Sequence, residues 1–313
     1  MKIGLIDVDG HNFPNLALMK ISAYHKAKGD DVEWYDAMFS TDMDIVYMTK
    51  VFSFTDDYMY PIRAQEIIKG GSGYCIENIN GKEEYNKSKD IQLPYEVEHI
   101  YPDYSLYNIT DTAYGYLTRG CPRGCKFCHV EAKEGRKSYK CADLKEFWNG
   151  QKFIKLLDPN LLAYKGYLDL LQQLADSKAY VDFTQGLDIR LTNDKNIELI
   201  NQIKLKEIHF AWDNPKDDLY SYFKNYKEKA KHKPHGHYGT VYILVNFDSS
   251  IEEDLYRIYR LRNLGFDPYV MIYDKQNAPQ RIRDLQRWCN NKFIFRSCAN
   301  FENYKRSVFN GNL

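Results

Sequence analysis

The stretch TVYILVNFDSSIEEDLYRIYRLRNLGFDPYVMIYD (residues 240–274) contains one complete strand–helix–strand unit. Its ends, TVYILVNF and PYVMIYD, are short runs of β-branched and aromatic residues, which are typical of buried strands. The apolar residues between them recur at helical spacing: Ile251, Leu255, Ile258 and Leu261. We expect Ser249 and Glu252 to form a capping box at the start of this helix, and Gly265 to end it.

The same alternation extends toward the N-terminus as far as residue 113. Four earlier segments are strand candidates: AYGYLTR (113–119), FIKLLD (153–158), YVDFTQ (180–185) and EIHFAWD (207–213). Helical patterns occupy residues 160–178 and 279–291. Six strands with intervening helices predict an α/β fold with a parallel sheet and right-handed crossovers. Because a closed barrel has eight such units, we expect a partial (β/α)6 TIM-like barrel over residues 106–313.

Residues 1–105 predict a small Rossmann-like α/β domain. KIGLIDV (2–8), DVEWY (31–35) and DIVYMT (44–49) are strand candidates. A helix between the first two is expected to begin near Pro14 and to end at Gly29. The polar tract NINGKEEYNKSKD (78–90) is expected to be a surface loop.

Polar side chains follow the second to sixth predicted strands of residues 106–313, and the cysteine-rich segment follows the first. The polar residues are Asp158, Gln185 with Asp188 and Arg190, Asp213 with Asn214, Asn246 with Asp248, and Asp274. Reactive groups in barrels of this kind lie where strands end, so these residues are candidates for one functional rim. Polar residues also end strands in ordinary loops, and that alternative accounts for about half of the positions.

The overall composition excludes several classes of function. Lys plus Arg and Asp plus Glu each total 43, so the net charge is zero and no nucleic-acid partner is indicated. No apolar run reaches the length of a membrane span, and the N-terminus lacks the pattern of a signal peptide. Seven cysteines, three of them clustered, suit a reducing compartment. We therefore expect a cytoplasmic protein with no membrane partner.

The three clustered cysteines lie in RGCPRGCKFCH (residues 119–129), at Cys121, Cys125 and Cys128. Four thiolates commonly hold one cubane iron–sulfur cluster, so three would leave one iron without a protein ligand. An open coordination position allows a metal centre to bind a small molecule. The other cysteines, Cys75, Cys141, Cys289 and Cys298, have no close spacing and are expected to be mainly buried thiols.

The pattern Cys-x3-Cys-x-aromatic-Cys, on a loop after the first strand of a partial barrel, resembles the signature of the radical S-adenosylmethionine (SAM) superfamily. This resemblance implies that Cys121, Cys125 and Cys128 hold a 4Fe-4S cluster whose fourth iron binds SAM. It implies reductive cleavage of SAM to a 5′-deoxyadenosyl radical, which abstracts a hydrogen atom from a substrate that the sequence does not identify. It also implies a reductant such as flavodoxin or ferredoxin.

The resemblance implies further cofactor-binding residues: Phe127, Asp158, Gln185, Arg190, Asp213 and Asn246. Phe127 occupies the aromatic position that packs near the adenine. Asp158 would accept a hydrogen bond from the amino group of SAM, and Arg190 would pair with its carboxylate. Asp213 would contact the ribose, and Asn246 lies in the segment that resembles the adenine-binding part of the fifth strand. No catalytic residue is identified.

A second resemblance concerns DVDGHNFP (residues 7–14). Asp9, Gly10 and His11 follow the first predicted strand, as does the Asp-x-His-x-x-Gly motif of some cobalamin proteins, with Pro14 where that motif has glycine. Cobalamin-binding-like domains precede the barrel in some radical SAM enzymes. The resemblance implies a short or degenerate relative of such a domain, and cobalamin is an additional candidate cofactor.

Three alternative functions stay open at this point. A cobalamin-dependent radical SAM methyltransferase would use both cofactors. An RNA-modifying radical SAM enzyme would dock RNA on the basic, His-rich tract at residues 224–237. A non-catalytic iron–sulfur or metal-binding module would need a fourth protein ligand beside the three cysteines, for which His129 and Cys141 are candidates.

Overall fold

Parallel β-sheets organise the chain. The computed structural model describes residues 1–10, 13–79 and 82–305. The described residues up to Ile154 form one compact unit, and those from Lys155 onward form a second. The domain boundary expected near residue 105 stays a prediction.

The first unit begins with a four-stranded parallel sheet. Its elements are β1 (Lys2–Asp7), α1 (Leu16–Ala27), β2 (Asp31–Trp34), β3 (Met43–Thr49) and β4 (Ala64–Gly70). The strand order is β2-β1-β3-β4, and every pair is parallel. Ile3 and Leu5 pack with Leu18 of α1, whereas Ile6 packs with Val46 in a separate cluster. Strand β4 was not predicted, because its residues are mostly exposed and its sequence lacks a regular alternation.

The start of α1 differs from the prediction by two residues. Asn15 is the N-cap, and its side chain accepts hydrogen bonds from the backbone N–H groups of Ala17 and Leu18. Pro14 therefore precedes the helix rather than lying in its first turn. An asparagine side chain can bind the exposed N–H groups of a first turn, which proline cannot do. Gly29, with a φ of 80°, ends the segment as expected.

The rest of the first unit consists of short elements. They are α2 (Ser72–Cys75), β5 (Ile76–Ile79), β6 (Lys82–Tyr85), α3 (Tyr95–Glu98), β7 (Thr112–Gly115), β8 (Thr118–Arg119), α4 (Val130–Glu134) and β9 (Tyr139–Lys140). β5 and β6 form an antiparallel pair, so the tract expected to be a surface loop (78–90) contains the end of β5 and the whole of β6. Two-residue periodicity is weak in these four-residue strands, which explains why the sequence did not reveal them.

A six-stranded parallel sheet confirms the α/β fold class. Its strands are β7, β10 (Phe153–Leu156), β11 (Tyr180–Leu187), β12 (Lys204–Ala211), β13 (Thr240–Val245) and β14 (Asp267–Ile272). The spatial order is β14-β13-β12-β11-β10-β7, so strands adjacent in the sheet are also successive strand candidates in the sequence. Each of the six predicted strands overlaps one of these elements, although the bounds differ and the first prediction (113–119) also covers β8. The helices that follow β10 are α5 (Tyr167–Ser177), α6 (Asp194–Gln202), α7 (Tyr220–Lys229), α8 (Ile251–Leu264), α9 (Gln280–Asn290) and α10 (Lys292–Ser297).

Aromatic packing shows which face of β12 is covered by helices. The Phe210 ring lies 4.8 Å from the ring of Tyr226 and 6.0 Å from that of Phe223, both on α7. All three side chains are buried. Because side chains alternate across a strand, Glu207 and His209 point to the opposite face of the sheet. Among the described residues, no helix is both long and apolar enough to cross a membrane.

The capping box of α8 lies one residue later than predicted. The Ser250 hydroxyl accepts from the backbone N–H of Glu253, and the Glu253 carboxylate accepts from the N–H of Ser250 at 2.7 Å. The sequence contains two adjacent serines and two adjacent glutamates, so the motif fits either register. Gly265, in the left-handed conformation with a φ of 88°, ends the helix as predicted.

Removal of this cap gives a direct test of the register. We expect Ser250→Ala to lower the free energy of unfolding by about 1 kcal/mol, because the first turn loses a hydrogen-bond acceptor. Ser250→Asp keeps an acceptor and should leave stability nearly unchanged. Urea unfolding followed by circular dichroism measures both, and equal destabilisation by the two substitutions would contradict this cap.

Candidate functional site

The cysteine loop is closed at its base by a short antiparallel pair. Thr118 pairs with Lys140, and Arg119 with Tyr139, so residues 120–138 leave and return at one point. Within the loop, the backbone N–H of Cys121 donates to the carbonyl of Gly135 at 3.2 Å. The three sequence-predicted cysteines are therefore on one short, internally braced segment of the first unit.

Glu134, the last residue of α4, fixes the beginning of the loop. Its carboxylate accepts from the backbone N–H of Gly120 at 2.9 Å and from Nη1 of Arg119 at 3.0 Å. The Arg119 guanidinium also lies over the ring of Tyr116, 4.1 Å from its centre. Charge-assisted hydrogen bonds of this kind are stronger than neutral ones, so the backbone before Cys121 is held firmly in place.

Two glycines determine the path of the loop. Gly120 and Gly124 have φ values of 78° and 59°, in the region that other residues rarely adopt. A Cβ atom at Gly120 would lie 2.3 Å from the carbonyl oxygen of Lys137. A further turn is closed by the N–H of Cys128, which donates to the carbonyl of Cys125 at 2.9 Å. Only glycine adopts the backbone angles of Gly120 and Gly124 without strain.

The side chains of the loop differ in exposure. Cys125 and Cys128 are exposed, and Cys121 is half-buried. Phe127, the residue predicted to pack near an adenine, is half-buried between the two exposed cysteines. All seven cysteines lie among the described residues as thiols, none of them in a disulfide. The donor set of the loop is thus three thiols within eight residues, and this set suits iron–sulfur ligation.

The remaining cysteines have different surroundings. Cys75, Cys289 and Cys298 are buried, and burial raises the pKa of the Cys289 thiol to about 12. The sulfur atoms of all four donate to backbone carbonyls, at 3.5 Å for Cys75, 3.3 Å for Cys141, 3.4 Å for Cys289 and 3.3 Å for Cys298. A thiolate is needed for metal binding, so the raised pKa of Cys289 disfavours that role.

In the second unit, Asp213 lies directly after β12. Its carboxylate accepts from the backbone N–H of Leu244 at 2.9 Å, which joins the end of β12 to β13. Burial raises the pKa of Asp213 to about 6, although this hydrogen bond and the positive charges of Arg257 and Arg190 act in the opposite direction. A carboxyl group with this pKa exchanges protons near neutral pH, which is a property of many functional carboxyl groups.

Arg257 is the residue that sequence reasoning missed. It lies on α8 and is fully buried. Its Nη1 donates to the carbonyls of Trp212 and Asp213, each at 2.7 Å, and its Nη2 donates to the carbonyl of Leu244 at 3.0 Å. Asp254, one turn earlier, forms a buried ion pair with the same guanidinium. The only signal in the sequence is an arginine among the apolar positions of a helix. A surface arginine gives the same signal, so the sequence does not distinguish the two.

Arg190 lies in an ion-pair cluster after β11. Its Nε donates to Asp188 at 2.8 Å, and its Nη1 donates to Asp217 at 2.9 Å. Asp188 also accepts from the backbone N–H of Arg190 at 3.1 Å. The structure thus provides this guanidinium with carboxylate partners from the chain itself. The positive charge of Arg190 acts on Asp213, which places these two predicted residues in one electrostatic environment.

The other predicted residues of the second unit are spread over three strand ends. Asp158 is buried after β10. Gln185 was expected to follow its strand, but it lies within β11, which continues to Leu187. The register shifts there, and Gly186 has a φ of 89°, so a bulge keeps the chain in the sheet. Asn246, with a φ of 62°, donates from Nδ2 to the carbonyl of Tyr273 at 2.9 Å.

At the carboxyl end of β1, Asp9 is engaged in the fold of the first unit. Its buried carboxylate accepts from the backbone N–H of Val51 at 2.9 Å and from that of Phe52 at 2.8 Å. These bonds join the loop after β1 to the loop after β3. His11, the candidate cobalt ligand, lies outside the described residues, so the cobalamin prediction stays a prediction.

A cavity of about 480 Å³ opens beside these strand ends. Residues from the ends of β1 and β2 line it together with residues 56–60: Asp7, Val8, Trp34, Tyr35 and Tyr58 are among them. Ligands of open parallel sheets bind outside the carboxyl ends of strands where the strand order reverses. In the order β2-β1-β3-β4 that reversal lies between β1 and β3, whereas the strand residues that line this cavity come from β1 and β2. The cavity therefore lies beside the reversal point and not at it.

The two sets of predicted cofactor residues fall in different compact units. Cys121, Cys125, Cys128 and Phe127 belong to the first unit. Asp158, Gln185, Arg190, Asp213 and Asn246 belong to the second. No protein-family model matches the sequence, and a comparison with curated proteins finds no significant match.

The raised pKa of Asp213 predicts a pH-dependent stability effect. The folded state holds this proton more tightly than the unfolded chain, whose pKa is about 4. Stability contributed by this group is therefore present below pH 4 and is lost as the pH rises through about 6. We expect Asp213→Asn to increase the free energy of unfolding by about 1–3 kcal/mol at pH 8 and by little at pH 4.

Chemical unfolding at both pH values measures this difference. The control is Asp218→Asn, which replaces an exposed carboxylate of the same loop. Equal effects of Asp213→Asn at pH 4 and pH 8 would contradict the raised pKa.

The buried guanidinium predicts a large loss of stability. Arg257→Met leaves three carbonyls and the Asp254 carboxylate without their donor, so we expect it to destabilise the fold by about 3–5 kcal/mol. The double substitution Arg257→Met with Asp254→Leu removes both charges and should recover part of this loss. Guanidinium chloride unfolding tests the pair, and a double variant no more stable than Arg257→Met would contradict the ion-pair account.

Proposed function

We propose that this chain is a radical SAM enzyme with a 4Fe-4S cluster on the loop of residues 120–138. The observation that carries the proposal is the donor set of that loop. Three thiols in Cys-x3-Cys-x2-Cys spacing lie on one braced segment after β7 and β8, and two of them are exposed. A cubane held by three thiolates keeps one iron open to a small molecule. An electron carrier whose cluster has four protein ligands has no such open iron.

The surroundings of the loop fit a cluster of this kind. Cys121, Cys125 and Cys128 would hold the iron atoms. The hydrogen bonds that Glu134 and Gly135 accept fix the backbone of the segment that carries these cysteines. When bound, the cluster and SAM would supply a 5′-deoxyadenosyl radical that abstracts a hydrogen atom from substrate. The charge of Arg119 is already paired with Glu134 and Glu98, so this residue holds the base of the loop and does not offset the charge of the thiolates and sulfides.

In this proposal, the six-stranded sheet is the partial (β/α)6 TIM-like barrel, and its strand ends bind SAM and substrate. Asp213, with a pKa of about 6, would exist in both protonation states at neutral pH and could accept from or donate to a ribose hydroxyl. Arg190 would pair with the SAM carboxylate by exchanging it for Asp217, the more exposed of its two partners. Asp158, Gln185, Asn246 and Phe127 are the other proposed contacts to SAM.

The decisive experiment is reconstitution without oxygen, using iron and sulfide, followed by addition of SAM and reduced flavodoxin or dithionite. We expect formation of 5′-deoxyadenosine, measured by liquid chromatography. Cys121→Ala, Cys125→Ala and Cys128→Ala should each reduce it to background, because each removes a cluster ligand.

Cys141→Ala is the matched control, since this thiol is half-buried next to the same loop and is not a proposed ligand. It should keep both the cluster and the product. A loss of the cluster in Cys141→Ala would indicate a fourth protein ligand and would overturn the proposal. Product formation that survives all three loop substitutions would do the same.

A further inference from the structure

A second cluster of metal-ligating side chains lies on β11 and β12 of the second unit. Asp182, Glu207 and His209 each place one ligand atom within 4.8 Å of the others. Asp182 is the neighbour of Glu207 in the register of the two strands, and His209 is two residues farther along β12. The three side chains therefore share the face of the sheet opposite to Phe210 and α7.

The distances within this cluster suit a single metal ion. His209 Nε2 lies 3.3 Å from Glu207 Oε2 and 3.8 Å from Asp182 Oδ1. Ligand atoms that share a tetrahedral zinc ion, each at about 2.0–2.1 Å from it, are separated by about 3.3 Å. Small side-chain rotations would be enough to bring all three atoms to bonding distance.

Burial shows that these groups are costly to place here without a cation. Asp182 is 4% exposed and His209 is 8% exposed. Among the described residues, Asp182 Oδ1 has no hydrogen-bond partner, although it is buried and lies beside His209 Nε2. A buried carboxylate oxygen in this state is destabilising unless a positive charge compensates it. The positive charge of Lys155 acts on Asp182 from β10, as does that of His209 when it is protonated, and both stand against two carboxylates.

The neighbours of the cluster orient its members. His209 stacks on Tyr242 of β13, with ring centres 5.3 Å apart and an angle of 20° between the planes. His237 Nδ1 lies 3.2 Å from Glu207 Oε1, the other oxygen of the carboxylate that His209 contacts through Oε2. Partners that hold the second atom of a ligating carboxylate are typical of metal sites.

We propose that Asp182, Glu207 and His209 bind a divalent transition-metal ion such as Zn²⁺. Two carboxylates and one imidazole suit zinc and related ions, and a set of three protein ligands resembles binding sites that keep an open position rather than closed structural sites. The open position would accept an oxygen atom of a small ligand on this face of the sheet. This site is independent of the iron–sulfur cluster proposed above.

The test uses the full chain with Cys121, Cys125 and Cys128 all replaced by serine, so that thiolates of the loop cannot bind the probe. Isothermal titration with Zn²⁺ at neutral pH should show one site. Asp182→Asn, Glu207→Gln and His209→Gln should each weaken binding by at least about 100-fold, more than the loss of an outer partner. Binding should also raise the melting temperature of the parent chain.

The matched control is His235→Ala, which removes an exposed histidine of the neighbouring loop and should leave binding unchanged. Circular dichroism confirms that each variant is folded. If Asp182→Asn does not fold, Glu207→Gln decides, because Glu207 is partly exposed. The proposal is overturned if the parent chain does not bind Zn²⁺, if the ligand variants bind as tightly as the parent, or if His235→Ala loses binding equally.

Discussion

The guanidinium of Arg257 is the interaction on which the second unit depends most. A fully buried charge is expensive, and it persists here because every donor that faces the sheet has a carbonyl or carboxylate acceptor. Its carbonyl partners are Trp212 and Asp213, which follow β12 directly, and Leu244, near the end of β13. One side chain of α8 thus satisfies the strand ends that the ladder itself leaves open, and it holds Asp213 in position.

This arrangement links stability to chemistry at the strand ends. The backbone after β12 is fixed by Arg257, and the Asp213 side chain is fixed by the N–H of Leu244. Burial then raises the pKa of Asp213 to about 6. Arg190 is restrained in a similar way by two carboxylates. Residues that are held this firmly lose little conformational entropy when a ligand binds, which favours a binding role for the strand ends.

The cysteine loop uses the same principle with different components. Its geometry is determined by two glycines with positive φ, by Glu134 and by a two-residue strand pair at its base. None of these features contributes much apolar burial. The loop is therefore shaped by backbone hydrogen bonds and by one carboxylate, and two of its cysteines lie at the surface.

The sequence by itself determined the α/β class and the approximate positions of the six strands of the larger sheet, because hydrophobic runs, helical spacing and caps are local signals. It also determined which cysteines are clustered. It failed at β4, at the β5–β6 pair and at the register of the α8 cap, where the pattern was short or repeated. Only the tertiary structure decided that the pKa of Asp213 is raised, that Arg190 already has partners, that Arg257 is a buried hub, and that Asp182 meets Glu207 and His209. These facts depend on which strands are neighbours and which face is covered, and such long-range contacts have no signature in the local order of residues.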